Sequence, residues 1–185
     1  MKFVLALLIS TLAAPAIAQD SPKSEHGMKD CPMHAQHAKQ SQSHYDDVKH
    51  RGEAHQGMGF SQTATTHHFT LTNSGGMIQV TANDPKDEQS IAQVQEHLVH
   101  IAEMFASGDF STPHFVHDQT PPGVSTMQKL KKQIHYTSET LPNGARVKIE
   151  TTSPQAVAAV HDFLRFQIED HQTGDPVTVQ SANAQ

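Results

Sequence analysis

The chain has 185 residues, with 13 Lys and Arg against 19 Asp and Glu, a net charge of −6 with His neutral. That length suits one domain with extensions, and the acidic balance argues against a nucleic-acid partner held through its phosphates, which needs a basic face. One Cys excludes an internal disulfide, and 15 His is several-fold above ordinary usage, so imidazole is the side chain on which any chemistry is expected to rest.

Residues 1–18 read as a secretory signal peptide. Lys2 supplies the basic start, Phe3 to Leu12 is apolar but too short to span a bilayer, and Ala16-Ile17-Ala18 fits the small-x-small cleavage pattern. The expected mature protein is periplasmic or secreted, with no membrane insertion of its own. Residues 19–59 contain almost no large apolar side chain and cannot offset their chain entropy by burial. They are expected to form a disordered His- and Met-rich tail.

Regular patterns begin at Phe60. Phe69 and Leu71 alternate with Thr70 and Thr72, a turn follows at Ser74-Gly75-Gly76, and Ile78, Val80 and Ala82 alternate again, which predicts a β-hairpin. Alternation also places His67 on the face of Phe69 and Leu71, and His68 on the other. Ile91, Val94, Leu98, Ile101 and Phe105 fall at helical spacing within 87–107, and Gly108 ends that helix. Residues 110–124 read as a proline-stiffened loop, followed by a short helix near 125–131. A second hairpin turns at Pro142-Asn143-Gly144. A last helix opens at Ser153-Pro154, an N-cap followed by a first-turn proline, and runs to about His171. The order strand, strand, helix occurs twice. The expected fold is α+β, two ββα units forming a four-stranded antiparallel sheet with two helices packed on one face. The domain spans 60–176, and 177–185 are expected to be disordered.

Several His groups have ligand spacing. In the tail, Cys31, Met33, His34 and His37 put thiol, thioether and imidazole within seven residues, a soft donor set suited to copper or zinc. In the first helix His97, His100 and Met104 share one strip beside the apolar stripe. In the loop, His114 and His117 stand three apart, with Asp118 beside them as a candidate orienting carboxylate or base partner. His161 and His171 point with the core stripe of the last helix. A core hydrogen bond accounts for His161 as well as ligation does, and the helix dipole alone favours an imidazolium at His171. Phe163 and Phe166 lie on the opposite face, either as a dimer or partner surface or buried under the loop.

Two resemblances add to this. Cys31-Pro32-Met33-His34 resembles the opening of the heavy-metal-binding modules of bacterial copper exporters, without their second Cys-containing half. Gly57-Met58-Gly59-Phe60, Thr66-His67-His68-Phe69, His117 to Gly123 and His161 to Asp175 resemble stretches of small exported His-rich bacterial proteins. The second resemblance implies one compact domain and supplies no activity.

The expected function is exported transition-metal binding, copper first and zinc as the alternative, for storage, delivery or tolerance. A domain site is expected from His97, His100, His114 and His117, with His67, His161 or Met104 contributing. A periplasmic protein partner or a homodimer is compatible with the sequence. Two alternatives stand beside this reading: a metal-dependent or His/Asp-based periplasmic enzyme, and a pH-responsive partner-binding module.

Overall fold

The computed structural model describes residues 32–54 and 57–180, and for 32–38 the backbone alone. The predicted signal peptide and Cys31 lie outside the described residues. Among the described residues no helix is long and apolar enough to cross a membrane.

Two hairpins form the sheet. Strand β1 (Thr65–Thr72) turns at Asn73-Ser74 into β2 (Gly75–Ala82), and β3 (Ile134–Leu141) turns at Pro142-Asn143 into β4 (Gly144–Thr151). The order is β1-β2-β4-β3, and every neighbouring pair is antiparallel. The second hairpin repeats the first at a constant offset of 69 residues, from Thr65 to Ile134 and from Gly75 to Gly144. Ile78 pairs with Val147, which is its own counterpart at that offset. A local two-fold relation therefore passes between these two residues, and the two ββα units meet through their return strands.

The strand alternation sends Phe69, Leu71, Ile78, Val80, Val147 and Ile149 to one face, where all six are buried. Helices α2 (Glu88–Ser107) and α5 (Pro154–Asp170) cover that face. Helix α2 starts at Asp87, whose side chain accepts from Ser90 N at 3.0 Å, and stops at Gly108, whose φ of 86° suits glycine at a helix end. The Ser153 side chain caps α5 by accepting from Ala156 N at 3.4 Å. Val94, Leu98, Val160 and Leu164 are at most 2% exposed, and burial of each contributes about 2 kcal/mol. Gly76 lets α5 approach closely, because a Cβ there would collide with Leu164 and with the Thr70 carbonyl. The opposite sheet face is polar. Its Glu139 holds Arg146 at 2.7 Å and Lys148 at 2.6 Å, half-buried surface pairs that contribute little to stability.

The structure differs from the sequence expectation in three places. The first is the tail: residues 32–53 form helix α1 (Pro32–Glu53). This stretch has Pro at its start and no further breaker before Gly52, and its Ala, Gln, Lys and Glu favour helix. It needs little apolar surface, because Val48 is fully buried and the Arg51 side chain donates to the Val116 carbonyl at 2.8 Å. The second is the loop at 110–124, which contains helix α3 (Ser111–His117) and leads into α4 (Val124–Lys129). Pro113 lies in the first turn of α3, where its missing N–H has no intrahelical partner to lose. Gly123 begins α4 with φ 82°, and a Cβ there would strike the Ala159 carbonyl of α5. The third is the C-terminal segment, which runs along the free edge of β1 as far as Gln180. Phe69 N donates to Asp175 at 2.8 Å, and Gln180 N donates to the Leu71 carbonyl at 2.8 Å. These bonds cover an edge that is otherwise open to pairing.

Candidate functional site

The inner face of the sheet ends, on the β1 side, in a row of rings rather than in aliphatic packing. His67 of β1 stacks on Phe60 at 5.9 Å and on His171 at 5.5 Å with planes 6° apart. Phe60 also meets His97 of α2 edge-on at 5.4 Å. His171, the residue that ends α5, meets His117 of α3 edge-on at 5.0 Å, and His117 meets Phe166 at 5.0 Å. Four imidazoles from β1, α2, α3 and the end of α5 are thus gathered on one side of the core.

Burial sets their charge. His67 and His97 are each lowered from 6.5 to about 4, first by loss of solvent and then by repulsion from neighbouring imidazoles. His171 is lowered well below 6.5 for the same reasons, and the nearby Asp170 carboxylate does not compensate. All three are therefore neutral at pH 7, with lone pairs free of protons. The dipole argument for an imidazolium at His171 is overturned: the ring lies inside the protein, 9% exposed, where desolvation outweighs the helix end.

His117 is fixed from both sides. Its Nδ1 donates to Asp170 Oδ2 at 2.5 Å, and its Nε2 lies 3.0 Å from Gln167 Oε1. The other oxygen of Asp170 accepts from His44 Nε2 of α1 at 2.7 Å. Burial pushes the Asp170 carboxyl up, but its hydrogen bonds to His117 and His44 outweigh this and hold it below its ordinary value. The carboxylate beside His117 is thus Asp170, 53 residues away, and not Asp118, which is exposed with φ 54°. Asp170→Asn is expected to lower stability by about 2 kcal/mol, the range for a hydrogen bond to a charged group. It should also make α1 the first segment cut by protease; unchanged stability and an unchanged cleavage pattern would show that this bridge does not hold α1.

Two spaces adjoin the rings. A narrow pocket of about 60 Å³ has walls of Phe69, Leu98, Phe105 and Phe163, and its polar lining includes His67, His97, His117 and His171. The Nε2 of Gln167, which also lines it, is buried without a partner among the described residues. Beside it lies a wider groove along α2, lined by Met58, His97, His100 and Met104. Met58 and His97 line both spaces.

The structure places the other expected ligands as follows. His97, His100 and Met104 share the groove, as their spacing on one strip requires. His114 is exposed on α3, 3.3 Å from the Thr120 hydroxyl, and His117 is buried on the cavity side, so the expected foursome of His97, His100, His114 and His117 does not close on one point. His161 is buried and donates to the Thr72 carbonyl at 2.8 Å, the core role. Met33, His34 and His37 fall in α1, and Cys31 lies outside the described residues. Among the described residues no three His, Cys, Asp or Glu are arranged to hold an ion as they stand. Phe163 is buried against Phe105 and Phe110, and Phe166 packs on His117, so this aromatic pair is not an open partner surface.

Sequence reasoning missed Met58, Gln167 and Asp170, and it placed His171 on the core face without counting it among the site residues. Its position on the face of Val160, Leu164 and Ile168 already pointed inward. Met58 had only its place between two glycines at the border of tail and domain. No family model, curated protein or solved structure matches this chain.

Proposed function

We propose that this protein is an exported transition-metal binder, for copper before zinc, acting in storage, delivery or tolerance. The observation that carries the reading is the donor set of the groove. Two thioethers (Met58, Met104) and two imidazoles (His97, His100) line one open surface, and it leads to a cavity with three further imidazoles. Thioether and imidazole together suit copper, and imidazole alone suits Cu(II) and Zn(II). A ligand must be unprotonated, and burial keeps His67, His97 and His171 so at neutral pH.

The N-terminal donors would compete with the groove, so the test removes them. In the untagged chain carrying Cys31→Ser, Met33→Leu, His34→Ala and His37→Ala, replacing His97 and His100 by Ala is expected to weaken copper binding at least tenfold in competition with a chelator. Equal affinity of the two proteins would reject the groove as the site.

The enzyme reading has one support, the cavity that joins α2, α3 and α5 beside the His117–Asp170 pair. Both ring nitrogens of His117 already face protein partners, Asp170 and Gln167, so a substrate proton would have to displace one of them. A space of about 60 Å³ holds an ion or a few waters rather than an organic substrate.

A further inference from the structure

We propose that Met58, His67 and His97 form a Cu(I) site at the junction of the groove and the cavity, an assignment that rests on the copper reading above. Two of the three donors are already in contact: His67 Nε2 lies 3.2 Å from Met58 Sδ. Nitrogen and sulfur bound to one first-row ion at ordinary bond lengths stand about 3.5 to 3.8 Å apart. An ion therefore enters between them with a movement of a few tenths of an ångström. The sulfur is the one hydrogen-bonding neighbour of the His67 ring among the described residues, and the His97 ring has none there. Both rings flank Phe60, which is 3% exposed and closes the site from solvent on that side.

Met58 is held in place by its backbone. Its N–H donates to the Gly52 carbonyl at 2.7 Å, and Gly52 leaves room for the thioether, since a Cβ there would stand 2.7 Å from Met58 Cε. The helix α1 thus positions the sulfur, the sheet positions His67, and α2 positions His97.

The donor set chooses the valence. One thioether and two neutral imidazoles bring no negative charge, and the surroundings are apolar. A divalent ion with no carboxylate or thiolate beside it is far more costly to desolvate here than a monovalent one. Soft sulfur favours Cu(I) in the same direction. The third donor is a thioether, so the site is not a cluster of three His, Cys or carboxylate groups.

The test uses the untagged chain carrying Cys31→Ser, Met33→Leu, His34→Ala and His37→Ala, with its remaining methionines labelled at the methyl carbon. Cu(I) is supplied under ascorbate and Zn(II) in a separate sample, with the Met58 resonance assigned by its loss in Met58→Leu. Cu(I) is expected to shift the Met58 methyl while Zn(II) leaves it in place. Met58→Leu, which conserves volume, is expected to weaken Cu(I) at least tenfold and to leave Zn(II) affinity unchanged. Retained copper with an unmoved Met58 methyl overturns this site and leaves the metal reading standing. If no copper is retained and no methionine or imidazole resonance moves, the metal reading fails and the site fails with it.

Discussion

Urea unfolding is expected to show stability that is complete above about pH 6.5 and falls steeply toward pH 4. The sign follows from protonation. Above pH 6.5 His67 and His97 are neutral in both folded and unfolded chains, so they contribute no pH dependence. Below 6.5 the unfolded chain takes up protons at these positions while the folded chain, with both groups lowered to about 4, does not. Each group then removes about 3 kcal/mol of stability across that window. His171, lowered in the same direction, adds to the loss. A domain of this size has about 5 to 15 kcal/mol in total, so a large part of its stability is lost by pH 4. The loss from Asp170 has the same sign but belongs to lower pH, because its carboxylate stabilises the fold only while ionised. His67→Gln should flatten the profile. A stability that stays level from pH 6.5 to 4.5 would mean that these imidazoles are not held neutral inside the fold.

Phe105→Ala is expected to cost about 3 to 5 kcal/mol, the range for removing a buried aromatic ring. Phe105 is 2% exposed and sits at the centre of the ring packing, stacked on Phe110 at 4.4 Å and edge-on to Phe163 and Tyr136 at 5.8 Å. It also lines the narrow pocket, so its removal enlarges the space beside the imidazoles. The urea midpoint should fall while the slope stays constant, since the surface exposed on unfolding is unchanged. A loss under about 1 kcal/mol would show that the aromatic layer does not hold the two helices to the sheet. Because Phe105 touches no proposed ligand by hydrogen bond, Cu(I) should still shift the Met58 methyl in this variant below its unfolding temperature.

Local pattern by itself determined the two hairpins and the two long helices. Period-two alternation set β1 and β2, Asn143-Gly144 marked the second turn, the 3.6-residue stripe from Ile91 to Phe105 set α2, and Ser153-Pro154 set the start of α5. These features depend on backbone geometry within a few residues, so they are legible without the rest of the chain. The direction of individual side chains was legible too: His67 inward and His68 outward, His97 beside the apolar stripe, His171 with the core face.

Tertiary packing decided the remainder. Helix α1 carries almost no apolar signal, and it is fixed by one buried Val48, by Arg51 reaching Val116 and by His44 reaching Asp170. Helix α3 was hidden by Pro113, which breaks helices in their interiors but not in their first turn. The His cluster depends on partners far apart in sequence. Asp170 rather than the adjacent Asp118 braces His117, and Met58 rather than Met104 meets His67. Those pairings arise only when the sheet order β1-β2-β4-β3 carries α5 over β1 and brings His171 against His67. Spacing along one helix says which side chains can be neighbours on that helix. Convergence of donors from four elements is set by how the elements pack, and that information is spread over the whole core.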